Sequence, residues 1–151
     1  MKQRGFTLIE LLVVIAIIGV LSAVVLASLN TARSKGSDAA IKSNLATIQT
    51  QAELYYGDAS PNGYGTQAFT ATTAAACAAG MFGNATIAKA LLAAYNTSGG
   101  TSGNIACVAA GTSYAIAVKL VSPSPAEWWC VDSAGGATNK TTAFPIASFS
   151  C

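Results

Sequence analysis

The sequence contains no histidine, and only 9% of its 151 residues are charged. Without histidine the commonest general base is missing, and so is the usual nitrogen ligand of a zinc site. The acids Asp38, Glu53, Asp58, Glu127 and Asp132 stand apart from one another along the chain. A nucleophile needs a positioned base, no such pair is adjacent, and no enzyme activity is expected. No proline precedes Pro61, so nothing in the first sixty residues breaks a helix outright. No cysteine precedes Cys77, and none of the four cysteines lies in a CxxC pair. Basic residues form no run. Lys2 and Arg4 aside, six basic residues face six acidic ones. A nucleic-acid surface needs a basic stripe, so no nucleic-acid partner is expected.

What is present is apolar: 52% of residues are hydrophobic, too many for a disordered chain. The length suits one domain plus an extra element. From Leu11 to Ala32 there is no charged residue. At about 1.5 Å per residue a helix of that length crosses a hydrocarbon core of about 30 Å. The run is longer than a secretory signal core and continues into a helical pattern, so it is expected to remain as a membrane anchor. Basic residues flank it on both sides (Lys2 and Arg4 before, Arg33, Lys35 and Lys42 after), so charge does not orient it. The cysteines do. Cys77, Cys107, Cys130 and Cys151 are expected to form two disulfides, which belong outside the cytoplasm. The N-terminus is then cytoplasmic. Of the three connectivities, the sequential one, Cys77–Cys107 and Cys130–Cys151, closes short loops at the lowest entropic cost.

Glu10 lies inside the apolar stretch, between Ile9 and Leu11. A charge deep in a span costs roughly 2.5–3.5 kcal/mol and by default marks function. The plain structural alternative is an anion favoured by the positive end of the helix dipole and by nearby headgroups.

Arg4-Gly5-Phe6-Thr7-Leu8-Ile9-Glu10 and the apolar run after it resemble the leader and mature start of the type IV pilin and pseudopilin family. The likeness extends from Lys2 to about Tyr56 and implies a set of roles. A prepilin peptidase cuts Gly5–Phe6 on the cytoplasmic side, and Phe6 becomes the N-methylated first residue. Glu10 takes the place of the family's assembly glutamate, neutralising the amine of Phe6 in its own chain or in a neighbour. The partners implied are further copies in a helical filament, the peptidase, the inner-membrane assembly machinery and, before assembly, the membrane. The implied destination is an extracellular filament or a periplasmic pseudopilus. Many members carry a helix-breaking proline in this segment; here Gly19, Asn30 and Gly36 are the only weak points.

The expected organisation is a leader over 1–5, a hydrophobic transmembrane and polymerisation helix over 6–36, an amphipathic continuation over 37–58, and a disulfide-pinned head over 59–151. Ile41, Leu45, Ile48, Ala52 and Tyr55 recur at spacings of four and three and predict the buried face of that continuation. A bend or interruption is expected near Gly36, with Ser37 or Asp38 restarting the helix. A second helix is predicted over 86–95, with Ile87, Leu91 and Tyr95 on one face. Strands are predicted over 105–109, 113–121 and 126–132, a turn over 133–140, and a last strand or pinned loop over 142–149. In 113–121, Tyr114, Ile116, Val118 and Leu120 share one face. The fold class is α+β: a long N-terminal helix, membrane-spanning in its first half, packed on a small antiparallel sheet.

No cofactor or metal is assigned. Some heads of the family hold calcium, but Asp132 and Asn139 offer two oxygens where Ca²⁺ takes about six to eight. Asn84, Asn96 and Asn139 head N-x-S/T triplets, which chance produces in a chain this rich in Asn, Ser and Thr. Two function classes follow. One is a structural subunit of a type IV pilus, or alternatively of a pseudopilus in a type II secretion-like system. The other is a membrane-anchored binding module that never polymerises, with a ligand site at Trp128 or Trp129.

Overall fold

The computed structural model describes residues 5–59, 61–122, 127–141 and 149–151. The chain divides into two compact units, one ending at Arg33 and one running from Ser34 to Cys151. Helix α1 spans Leu8–Asp58 and contributes to both. It is not interrupted at Gly36, where a bend or an interruption is expected from the sequence. A Cβ built on Gly36 meets nothing within 4 Å, so this glycine lowers helix propensity without answering any packing demand.

In the second unit, residues 34–58 of α1 lie on a five-stranded antiparallel meander. Its strands are β1 (Gln67–Thr70), β2 (Ile105–Ala110), β3 (Ser113–Lys119), β4 (Trp128–Asp132) and β5 (Ala137–Lys140), in sequence order across the sheet. Helix α2 (Ala85–Thr97) completes the unit. Asn84 caps it, its side-chain oxygen accepting from the N–H groups of Thr86 and Ile87. The β2–β3 hairpin turns on Gly111 and Thr112, with Ala110 opposite Ser113. Gly111 has φ +58°, the left-handed value that a two-residue hairpin of this kind requires at its first position.

The core forms where the predicted faces meet. Ile41, Leu45, Ile48 and Ala52 are completely buried against Ile87, Leu91, Ile105 and the Tyr114–Ile116–Val118–Leu120 face of β3. Each large aliphatic side chain sequestered there contributes about 1.5–3 kcal/mol. The other face of the sheet is lined by Ala106, Val108, Ala115, Ala117, Trp128 and Cys130, with Phe69 and Cys151 against it. The disulfides Cys77–Cys107 and Cys130–Cys151 form, the sequential arrangement. The first lies within the main core, and the second ties the C-terminal residue to the opposite face of the sheet.

The structure departs from the expectations at both sheet edges. Residues 133–140 are not one turn: the turn ends at Gly136, and Ala137–Lys140 pairs with β4 as strand β5. Strand β1 occupies a stretch with no strand pattern, and its pairing with β2 is irregular between Gln67 and Thr70. The strand residue Ala126 lies outside the described residues, as do Lys2 and Arg4. The segment 142–149 does too, except for its last residue.

Candidate functional site

Thr7 and Glu10 build the start of α1 reciprocally. The Glu10 carboxylate oxygen Oε2 accepts from the Thr7 backbone N–H at 2.9 Å and from its hydroxyl at 2.8 Å. Thr7 Oγ1 in turn accepts from the Glu10 N–H at 3.3 Å, and the Thr7 carbonyl accepts from the Leu11 N–H. This is a capping box, in which residues three apart satisfy the free N–H groups of a helix end. Its signature, Thr-x-x-Glu before an apolar run, stands in the sequence as Thr7-Leu8-Ile9-Glu10, and the reading of Glu10 as an isolated charge missed it. Both bonds use Oε2; Oε1 has no partner among the described residues.

Beyond this cap the helix presents uncovered apolar side chains. Phe6 is 86% exposed, and Leu11, Leu12, Ile15, Ile18, Leu21, Val25 and Leu29 are all at least half exposed. An 18-residue window of α1 reaches a mean hydropathy of 3.0 with none of it buried. Among the described residues, this is the one helix long and apolar enough to cross a membrane. A soluble monomer rarely exposes contiguous apolar surface above a few hundred Å², so a surface of this kind calls for lipid or protein cover. Gly5 precedes the cap, and a Cβ placed there would meet nothing within 4 Å among the described residues. None of them requires glycine at this position.

The other sequence candidates lie in the head, where each has a local partner. Asp132 is buried; its Oδ1 accepts from the N–H groups of Ala134 and Gly136, and its Oδ2 from that of Cys151. Its oxygens are thus engaged by the backbone, and Asn139 donates to Glu127 at 2.8 Å. Among the described residues, no three His, Cys, Asp or Glu side chains gather as metal ligands. Trp128 is buried on the outer sheet face, and Trp129 is partly buried under the Lys42 ammonium, 4.4 Å from its ring centroid. Neither tryptophan stands free as a ligand platform.

Two arrangements in the head have no sequence signal. Asp38, expected as a helix start, is the first buried residue of α1. Its carboxylate accepts from the Val121 N–H at 2.6 Å and from the Ser122 hydroxyl. Around Glu53, the Tyr64 hydroxyl donates to the carboxylate at 2.8 Å, and the Tyr64 ring packs edge-on against Tyr114. Burial first, then the neighbouring Glu53 carboxylate, pushes the Tyr64 hydroxyl well above its usual range. Tyr114 moves the same way, again chiefly through burial, with Tyr64, Glu53 and Asp132 adding to it.

Comparison with known proteins covers only part of the chain. Residues 1–26 match the family model described as the prokaryotic N-terminal methylation motif. The type IV major pilin protein PilA of Myxococcus xanthus is 42% identical over 59 residues, 38% of this chain and 26% of the relative. The type II secretion system core protein G of Dickeya chrysanthemi is 37% identical over 54 residues, 36% of this chain and 35% of the relative. The type IV wide pilus major component PilA4 of Thermus thermophilus is 42% identical over 57 residues, 38% of this chain and 44% of the relative. The chain thus spans between about a quarter and less than half of the length of these relatives. No solved structure matches it significantly.

Proposed function

We propose that this chain is a structural subunit of a type IV pilus, cut between Gly5 and Phe6, methylated at Phe6 and assembled through the apolar face of α1 from Phe6 to Leu29. The methylation-motif match over residues 1–26, coinciding with an apolar helix that its own fold leaves uncovered, carries this reading. The open space around Gly5 among the described residues supports it, because a glycine that none of them needs is explained by a peptidase that does. Before assembly the uncovered helix lies in lipid. In the filament the same surface is covered by other copies.

On this reading Glu10 sets the register. In the unprocessed chain it closes the capping box with Thr7. Cleavage turns the Phe6 nitrogen into a cationic amine one helical turn away, and the second carboxylate oxygen is available to it or to that of a neighbouring copy. Pairing removes two charges from an apolar surrounding, which rewards the aligned contact over misaligned ones. Residues 59–151, with the helix segment 37–58, form the head displayed by the filament. The prepilin peptidase and the inner-membrane assembly machinery are the partners this route requires.

A short secretion pseudopilus is the second reading, and the likeness to the type II secretion protein favours it. Shearing cells that express the protein and mapping the N-terminal peptide of the released material by mass spectrometry separates the readings. A peptide starting at methylated Phe6 in the sheared fraction is expected. Processed protein confined to the membrane supports the pseudopilus, and an intact Met1 in the presence of a working peptidase overturns the processing site. The variant Glu10→Ala is expected to insert in the membrane and release no filaments. Unchanged filament yield would refute the role given to Glu10.

A further inference from the structure

The head carries an acidic groove between α1 and the β4–β5 turn, about 470 Å³ in volume, lined by Gln49, Thr50, Glu53, Tyr114, Asp132 and Gly135 among others. Most of its polar groups are already committed. Gln49 donates to the carbonyls of Asp132 and Gly136, and the Asp132 carboxylate holds three backbone N–H groups. Two groups are not. Glu53 uses Oε1 for the Tyr64 hydroxyl, which leaves Oε2 without a partner among the described residues. Tyr114 is 1% exposed, yet its hydroxyl makes no hydrogen bond among the described residues. Among the described residues no fully buried side-chain oxygen or nitrogen lacks a partner, so the Tyr114 hydroxyl is not sealed off, and Tyr114 lines the groove.

An otherwise buried phenol opening beside a half-free carboxylate presents acceptors to a ligand, with no basic side chain lining the groove. One free carboxylate oxygen is far short of the about six to eight oxygens a calcium ion takes. The donor set instead suits a compact organic cation with several N–H groups, such as a lysine ammonium. Burial first, then Tyr64, Glu53 and Asp132, raises the pKa of the Tyr114 hydroxyl, which keeps the phenol neutral beside the carboxylate.

The rest of the chain indicates where such a cation comes from. Among the described residues no ion pair forms within the chain, although the acids and bases after Gly5 balance six to six. In the head, Lys42 sits over Trp129 and Lys119 and Lys140 are partly buried, whereas Lys35 and Lys89 are exposed. The exposed Lys35 and Lys89 ammonium groups, unpaired among the described residues, are opposite in charge to the groove and free to meet it on another copy. We propose that this groove receives the Lys35 or Lys89 ammonium of a second copy of this chain, held by the Glu53 carboxylate and the Tyr114 hydroxyl. A groove on one copy and a lysine elsewhere on the next make a heterologous contact. Such a contact repeats without closing and therefore suits an open filament. This inference rests on the filament reading above.

Zero-length carbodiimide coupling of filaments sheared from cells tests it, with light and heavy-nitrogen subunits mixed before assembly. Peptide mass spectrometry should find an amide bond from Glu53 to Lys35 or Lys89, and its light–heavy pairs should show that it joins two copies. In parallel, Glu53→Gln keeps an acceptor for Tyr64 but loses the charge, and its filaments should dissociate about tenfold faster in moderate salt. Glu53→Lys combined with Glu at the identified lysine should restore the wild-type rate. Filaments in which Glu53 couples only to added soluble amine, or only within one copy, overturn the groove contact and leave the filament reading intact. So does Glu53→Gln with wild-type dissociation. Processed wild-type chain that forms no filament overturns both.

Discussion

The two disulfides close loops of similar size but should differ in what they hold. Cys77–Cys107 spans 30 residues and Cys130–Cys151 spans 21. Loop-closure entropy alone assigns them about 3.6 and about 3.3 kcal/mol. Their places in the fold separate them further. Cys77 and Cys107 are buried in the main core, beside Met81, Phe82 and Ile87, and join the 3₁₀ turns at Ala74–Ala76 and Gly80–Gly83 to strand β2. Cys151 is only half buried, and what it fastens is the chain end, which Asp132 also holds through the Cys151 N–H. Replacing Cys77 and Cys107 by alanine should therefore cost the entropic term plus packing, about 4 kcal/mol, and lower the urea midpoint of the whole head by about 2 M. Replacing Cys130 and Cys151 should cost less than its loop entropy, because the end can detach while the sheet persists. Equilibrium unfolding of the full chain in detergent, followed by both tryptophan emission and circular dichroism, measures the two. A larger midpoint loss for the Cys130–Cys151 variant would refute the placement argument.

Asp38→Ala removes two hydrogen bonds of a carboxylate in a part-buried place and should cost about 1–3 kcal/mol in the same unfolding measurement; Asp38→Asn, which keeps one acceptor, should cost less. The head should also lose stability in alkali. Tyr64 and Tyr114 have hydroxyls raised above the usual value of about 10. The unfolded chain therefore ionises first, so the contribution is complete below about pH 10 and declines as pH rises above it. Unfolding midpoints measured from pH 8 to 11 check the sign, and Tyr114→Phe should flatten the decline.

The parts of the fold legible in the sequence are those whose partners lie close along the chain or whose pattern repeats. The buried face Ile41, Leu45, Ile48 and Ala52 follows from helical spacing, and the face Tyr114, Ile116, Val118 and Leu120 from strand alternation. Strand β5 has neither: Ala-Thr-Asn-Lys is an exposed edge whose main-chain pairing to β4 decides its conformation. Irregular β1 escaped for the same reason. Its Gln67 is buried to accept the N–H groups of Ala78 and Ala79, a duty set by a chain crossing and not by composition.

The candidate site divides along the same line. The Thr7–Glu10 cap spans three residues and was readable from its spacing, as was the apolar run that follows. The Asp38 clasp joins residues 83 and 84 apart, so it appears only once the register of α1 against the end of β3 is fixed. The groove at Glu53 is further removed, because it depends on Tyr64, Tyr114 and the β4–β5 turn arriving together on α1. In sequence Glu53 is merely the polar side of an amphipathic helix, indistinguishable from Asp58. What separates the two is the second carboxylate oxygen left beside an unbonded phenol, and a difference of that kind exists only in three dimensions. The absence of internal ion pairs among the described residues acts likewise: composition gives six acids and six bases after Gly5, but only the fold reveals that they do not pair off within the chain.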